Sequence, residues 1–161
     1  MGTDRLTVCD YCGCRETPLV NELMIEHRHL LDEVDHIRRD MAAGDRASVS
    51  GRLRHLVSHL ERHVSREELG IFTALRKHGD YAEEVDELEG EHRWLDTTIA
   101  GLDPGSPEFD TALSRLFEAL DTHIEREDLG IFPVSVVTLG AEGWDLVQRV
   151  HEDQPSFLVT S

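Results

Sequence analysis

One ten-residue stretch occurs twice in this chain, and each copy carries a histidine and a glutamate four residues apart. The copies are residues 63–72 and 123–132, and seven of their ten positions are identical. On a helix, side chains four residues apart lie on one face. Each copy follows a Glu-His dipeptide, at residues 26–27 and 91–92 respectively. The chain is therefore predicted to use one structural unit twice, a Glu-His helix followed by a His-x-x-x-Glu helix.

Four stretches of the chain show the apolar periodicity of amphipathic helices. The predicted helices cover about residues 17–44, 45–79, 80–101 and 106–133. Ser106 is the expected N-cap of the fourth helix, and Pro133 is expected to end it. The short connections favour an all-α fold, namely an up-down-up-down four-helix bundle over residues 17–133. Residues 1–16 are expected to form an irregular cysteine-containing arm, and residues 134–161 a C-terminal extension with a short helix at about 139–152.

Six polar residues occupy positions on these helical stripes that are otherwise Leu, Ile or Val. They are His27, His63, Glu67, His92, His123 and Glu127. An unpaired ionised carboxylate is costly to bury, so two of them on facing helices require a positive charge between them. A single buried histidine is more often a hydrogen-bonded core residue, but the repetition of the pattern favours a dinuclear metal site.

The lengths of the predicted helices indicate whether these six side chains can meet. At a rise of about 1.5 Å per residue, His27 and His63 lie at the same distance from the connection between their helices. The midpoint of His63 and Glu67 likewise lies about as far from the second connection as His92 does. The third connection fits less well, because His92 lies 9 residues before Gly101 whereas His123 lies 16 residues after Pro107. The loop between them must therefore climb along the bundle by about 10 Å.

The acidic composition excludes some classes of partner. With 33 acidic and 16 basic residues, the chain has a formal net charge of −17. This charge repels phosphate backbones and anionic lipid surfaces, so neither nucleic acid nor a membrane is an expected partner. With no signal-like N-terminus and no long apolar run, the sequence favours a cytoplasmic location.

The three cysteines lie together near the N-terminus, as Cys9, Cys12 and Cys14. An odd number of cysteines in a reducing compartment argues against a disulfide framework. An irregular arm with free thiols is favoured over a zinc-knuckle or redox role, because a closed zinc site would need a fourth ligand.

With these motifs in view, the chain resembles the hemerythrin-like family, whose HHE cation-binding domain has the pattern His, His-x-x-x-Glu, His, His-x-x-x-Glu. The resemblance covers about residues 17–133. It implies a bundle holding two non-haem iron ions joined by an oxo or hydroxo bridge. The implied nitrogen ligands are His27, His63, His92 and His123, and the implied bridging carboxylates are Glu67 and Glu127.

The sequence departs from the oxygen-carrying hemerythrins at one ligand position. Those proteins have a second histidine four residues before the one matching His92, where this chain has Leu88. Up to two coordination positions would then be open on the metal pair. His59 lies one helical turn before His63 but has no counterpart in the second copy, where the residue is Ala119. His59 could supply a fifth nitrogen ligand, but because the repeat does not require it, a place on the surface or against one of the metal ligands is favoured.

Several polar residues adjacent to the six candidate ligands are expected to face solvent. Neighbouring positions on a helix point about 100° apart, which directs these side chains away from the core. The residues are Glu26, Glu68, Glu91 and Asp128, and for Glu26 and Glu91 the alternative is a contact with a metal ligand. His29, two residues after His27, lies about 200° around the helix from it and is also expected to face solvent.

Three functions are open at this point. The first is a di-iron protein that binds dioxygen, peroxide or nitric oxide at an open iron position, and the absent fifth histidine favours peroxide breakdown or nitric oxide chemistry. Whether the chain is an enzyme, with catalase-like activity, is left open. The second is a sensor of oxygen, iron or redox state, or an iron-handling module, acting through an unknown protein partner. The third is a structural bundle with incidental histidines.

Overall fold

Residues 17–159 are described by a computed structural model, and every regular element in that range is helical. The elements are α1 (Pro18–Ala42), α2 (Arg46–Glu67), α3 (Thr73–His78), α4 (Ala82–Ala100), α5 (Phe109–Arg126), α6 (Phe132–Thr138) and α7 (Ala141–Asp153). The predicted all-α class is confirmed. The up-down-up-down order and the division of the chain at residues 16 and 133 stay predictions. Cys9, Cys12 and Cys14 lie outside the described residues.

Two helix ends follow directly from local chemistry in the sequence. Asp45 caps α2 by accepting a hydrogen bond from the Ser48 backbone N–H, at 3.2 Å. Gly79 follows α3 with a φ of 100°, a left-handed conformation that favours glycine. The start of the fourth long helix differs from the prediction. The Ser106 hydroxyl accepts from the backbone N–H of Glu108 in a turn, and the helix begins only at Phe109.

Each repeated stretch contains one turn of π-helix that the periodicity did not predict. These turns are Glu68–Phe72, between α2 and α3, and Glu127–Ile131, between α5 and α6. A π turn inserts one residue into the helix and disturbs its hydrogen-bonding ladder. In the first copy the Thr73 hydroxyl donates to the Glu68 carbonyl at 2.6 Å.

The second π turn also explains why the predicted end at Pro133 is wrong. Helical structure continues from Phe132 to Thr138, with Pro133 in the first turn of α6. A proline is tolerated there because the π turn shifts the hydrogen-bond ladder just before it: the Phe132 N–H donates to the Glu127 carbonyl, five residues back, and proline has no N–H of its own to leave unpaired.

The apolar core is divided into two clusters with the candidate ligands between them. Along α1, Leu23 belongs to one cluster and Leu30 to the other, and His27 lies between the two. Along α4, His92 likewise lies between Leu88 and Leu95. The six candidate ligands thus form a polar layer across the middle of an apolar interior.

α7 lies where the sequence predicts a short C-terminal helix, and it packs against the first π turn. A Cβ added at Gly70 would meet the Val150 side chain at 3.6 Å, so α7 approaches the repeated stretch closely. None of the helices described between residues 17 and 159 is long and apolar enough to cross a membrane.

Candidate metal centre

All six candidate ligands converge at the middle of the molecule. Each histidine directs Nε2 inwards: the Nε2 atoms of His63 and His123 lie 3.1 and 3.3 Å from carboxylate oxygens of Glu67 and Glu127. His27 Nε2 lies 3.0 Å from Glu127 and 3.7 Å from Glu67. His92 Nε2 lies 3.6 Å from Glu67 and 3.8 Å from Glu127. Both carboxylates therefore contact histidines from both repeats.

The third connection, which fitted least well by length, does bring its two histidines together. The Nε2 atoms of His92 and His123 are 2.9 Å apart. The later start of α5 and the loop before it absorb the predicted mismatch.

Six inner atoms of this layer lack hydrogen bonds that would explain their burial. Among the described residues, both carboxylate oxygens of Glu67 and both of Glu127 are fully buried without a hydrogen bond, as are the Nε2 atoms of His27 and His63. Unsatisfied buried polar atoms are rare in folded proteins. These are the atoms with which imidazole and carboxylate side chains coordinate a metal, so the donor set fits a bound cation.

The ligand atoms fall into two groups that could each hold a metal ion, with all atoms of a group within 4.8 Å of one another. One group contains His27 and His63, and the other contains His92 and His123. Both include Glu67 and Glu127. A carboxylate that belongs to both groups could bridge two ions, one in each group.

The outer nitrogen of each imidazole donates to a carboxylate on another helix. Nδ1–H of His63 donates to Glu26 at 2.8 Å, and that of His123 donates to Glu91 at 2.8 Å. Nδ1 of His27 pairs with Asp128 at 2.8 Å, and Nδ1 of His92 pairs with Glu68 at 3.3 Å. Because an ionised carboxylate can only accept, each Nδ1 carries a proton, which leaves Nε2 as the nitrogen that can coordinate a metal ion once it has lost its own proton.

These four carboxylates correct the expectation that Glu26, Glu68, Glu91 and Asp128 only face solvent. Glu26 is fully buried, and the other three are partly buried. The 100° offset from the adjacent ligand directs each side chain along the neighbouring helix rather than away from the bundle. The signal in the sequence was an acidic residue beside a candidate ligand at four places, two of them the repeated Glu-His dipeptides.

A further pair of residues that sequence reasoning missed is the arginine repeated before each bridging glutamate. Arg66 is fully buried and donates to Glu26 at 2.5 Å and to Glu22. Arg126, its counterpart, pairs with Glu91 but is 44% exposed. In both copies the arginine thus pairs with the carboxylate that orients a candidate ligand. The signal in the sequence was that an arginine directly precedes the glutamate in both copies.

Protons balance the buried carboxylates in the metal-free chain. Burial lowers the pKa of His92, but Glu127, Glu68 and the charge on Glu67 together raise it to about 10. Burial raises the pKa of Glu127, but the charge on His123 and contacts with His27 and His92 hold it well below its ordinary value. A metal ion that binds here must displace protons from the imidazoles.

Two residues that bear on the ligand count lie outside the centre. Nδ1 of His59 is 3.0 Å from both carboxylate oxygens of Glu33, on the outer side of α1 and α2. Leu88 is buried in the apolar core and offers no donor atom. Among the described residues, the two buried groups that could hold a metal contain four histidines and neither His59 nor a donor at Leu88.

Comparison with known families agrees with this geometry. Residues 19–135 match the family described as the hemerythrin HHE cation binding domain. The chain belongs to this family. The resemblance read from its sequence motifs is thus confirmed, and the matched residues include all six members of the polar layer. Comparison with curated proteins and with solved structures gives no match.

Membership in the hemerythrin HHE family indicates binding of a metal cation, and of iron in particular. The described residues include two groups of buried side chains that could hold such a metal.

Proposed function

We propose that the chain is a non-haem di-iron protein that binds a small oxidant at an open iron position. In this proposal the four long helices form an up-down-up-down bundle. His27 and His63 hold one ion, His92 and His123 hold the other, and Glu67 and Glu127 bridge them with an oxo or hydroxo group. When bound, such an iron pair supplies reversible redox chemistry and open positions for dioxygen, peroxide or nitric oxide.

The observation that carries this proposal is the contrast between the two sides of each imidazole. Every outer nitrogen is hydrogen-bonded to a carboxylate, whereas the inner nitrogens and the four inner carboxylate oxygens point at one another. A structural histidine would be satisfied by its outer bond without facing a second carboxylate. Ligand histidines in metalloproteins commonly have such an outer carboxylate, which fixes the tautomer and raises the basicity of the inner nitrogen.

The residues around the centre would exclude water and fix the ligands. Leu30, Leu60, Leu120 and Ile124 line the space beside the six polar side chains. Because the surroundings of the polar layer are apolar, the ligand charges are weakly screened, which strengthens their attraction for a cation. Arg66 would hold Glu26, and through it the His63 ring, in one orientation.

In this proposal a small molecule reaches one end of the centre from one of two surface grooves. Trp94 and Ala119 line a groove that has His123 in its wall. Val64 and Leu69 line another, which includes His92. Both grooves contact the group that contains His92 and His123, so we place the open position at that ion. The absence of a histidine at Leu88 supports breakdown of peroxide or chemistry with nitric oxide, in addition to binding of dioxygen.

The test is metal content with an optical spectrum before and after addition of an oxidant. The chain is loaded with Fe²⁺ without oxygen, dialysed, and exposed in turn to dioxygen, peroxide and nitric oxide. We expect about two irons per chain, as in other di-iron carboxylate bundles, and a near-ultraviolet charge-transfer band that changes with at least one oxidant.

The matched control compares buried with exposed glutamates. The double variant Glu67→Gln with Glu127→Gln should lose the iron and the band, whereas Glu84→Gln with Glu125→Gln changes two exposed residues and should keep both. Iron content in the wild type no higher than in the first variant would refute the metal site. Two irons per chain with a spectrum unchanged by all three oxidants would refute oxidant binding but not the metal site.

A further inference from the structure

A second cluster of metal-binding side chains lies on the outer side of α1 and α2, separate from the buried centre. Its members are His29 and Glu33 on α1 and His59 on α2, and one ligand atom from each lies within 4.8 Å of the other two. The cluster is accessible to solvent, since His29 is 45% exposed and His59 is 26% exposed.

The spacing of the ligand atoms suits a tetrahedral ion. Glu33 lies 3.0 Å from His59 Nδ1 and 3.9 Å from His29 Nε2. Bonds of about 2.0–2.1 Å to a tetrahedral zinc place neighbouring ligand atoms about 3.3 Å apart. Small side-chain adjustments of two rings and one carboxylate would bring all three atoms to that separation.

The third member of the cluster, His29, lies one helical turn before Glu33 on α1. Its Nε2 is 3.9 Å from the Glu33 carboxylate, which is within ion-pair range but too long for a hydrogen bond. Phe157 packs on both imidazoles, with its ring centroid 4.6 Å from that of His59 and 5.6 Å from that of His29. One aromatic side chain from the C-terminal segment therefore holds the two rings side by side.

We propose that His29, Glu33 and His59 form a surface site for a single divalent transition ion of the zinc type. Two neutral imidazoles and one carboxylate match the preference of Zn²⁺, and Cu²⁺ should bind the same set more tightly. Mg²⁺ and Ca²⁺ prefer oxygen ligands alone and should not compete. The net charge of −17 raises the local concentration of cations at the surface. Water would fill the remaining coordination positions, so the site can exchange its ion with solvent.

The experiment is a calorimetric titration of the iron-loaded chain with Zn²⁺ in excess Mg²⁺, with iron content measured afterwards. We expect one zinc to bind per chain without loss of iron. His29→Ala with His59→Ala should weaken this binding by at least about tenfold, and Glu33→Gln should weaken it while keeping the shape of the side chain. His36→Ala with His78→Ala removes two exposed histidines outside the cluster and should leave zinc binding unchanged.

A second titration separates this site from the buried one. In the Glu67→Gln and Glu127→Gln background, which alters the centre, the surface site should still bind zinc with the wild-type affinity. Loss of zinc binding in that folded background would overturn the proposal, as would equal binding by the wild type and the His29→Ala, His59→Ala variant. Either result would leave the proposed di-iron function intact.

Discussion

Glu26 of α1 and His63 of α2 are joined by a buried hydrogen bond in which Nδ1–H of the histidine donates at 2.8 Å. The residue next to Glu26 is His27, itself a member of the central layer. One dipeptide therefore supplies a candidate ligand and the residue that orients a ligand on the next helix. Glu91 and His92 do the same on α4, with Glu91 accepting from His123 at 2.8 Å.

This pairing predicts that Glu26→Gln weakens iron binding without preventing folding. The amide can still accept from His63, but it carries no negative charge to raise the basicity of the inner nitrogen. Loss of such an outer partner typically costs about 10–100-fold in metal affinity. The check is iron retention during dialysis against a graded series of chelator concentrations.

Glu125→Gln is the matched control for this prediction, because Glu125 is exposed and next to the second repeat's arginine. It should retain iron as the wild type does. Equal retention by all three proteins would mean that Glu26 does not act through His63.

A second prediction concerns the buried arginine. Arg66 is fully buried between Glu22 and Glu26, so Arg66→Met leaves negative charge in the interior without its partner. Breaking a buried ion pair in this way costs about 3–5 kcal/mol of unfolding free energy. Denaturant unfolding of the metal-free chain measures this loss.

Arg76→Met is the control, because Arg76 also pairs with two acids, Asp86 and Glu89, but is 39% exposed. Exposed pairs of this kind contribute about 0–1 kcal/mol. The account of Arg66 is wrong if the two variants lose similar amounts of stability.

Candidate ligands on the helical stripes were predictable from the sequence, whereas contacts between side chains of different helices were not. Periodicity placed His27 and Glu67 in the interior because both interrupt apolar positions. It could not assign Asp128 to His27, because that contact depends on how two helices without adjacent sequence pack together. The π turns were missed for a related reason: a one-residue insertion in a helix leaves no clear signal in a stripe whose apolar residues are already spaced three or four apart.

A third prediction follows from the two buried carboxylates. A ligand that binds only the folded state stabilises it, by about 2.7 kcal/mol at a hundredfold excess over its dissociation constant. Removal of iron by a chelator should therefore lower the melting temperature of the wild type. The same treatment should leave Glu67→Leu with Glu127→Leu unchanged, because that variant lacks both bridging ligands.

The leucine variant also tests whether the bundle is only structural. In that case the double change would stabilise the fold, and the chelator would have no effect on either protein. Scanning calorimetry of both proteins, with and without chelator, separates the two outcomes.

A fourth prediction concerns pH. Burial lowers the pKa of His151 to about 4, and the positive charge of Arg66 acts in the same direction. Glu22 and Glu26 face the same histidine. Because the unfolded chain has an ordinary histidine pKa, it binds more protons than the folded chain between pH 6.5 and about 4. The contribution of His151 to stability is complete above pH 6.5 and is lost as the pH falls through that interval.

The measurement is the free energy of unfolding of metal-free protein as a function of pH, for the wild type and for His151→Phe. The wild type should lose stability more steeply than the variant on acidification between pH 6.5 and 4. His36→Phe, at an exposed histidine, should follow the wild type. Parallel curves for the wild type and His151→Phe would contradict the depressed pKa.

A fifth prediction rests on the proposed function and concerns the route to the centre. Ala119 lines the groove that has His123 in its wall, so Ala119→Phe should narrow it. Apolar lining at Trp94 and Leu95 suits dioxygen and nitric oxide, which carry no charge. The variant should keep its iron but react more slowly with nitric oxide in stopped-flow absorbance. Ala141→Phe makes the same change in a groove at α7, away from the centre, and should react at the wild-type rate. Equal rates in all three proteins would exclude the groove beside His123 and favour the one beside His92.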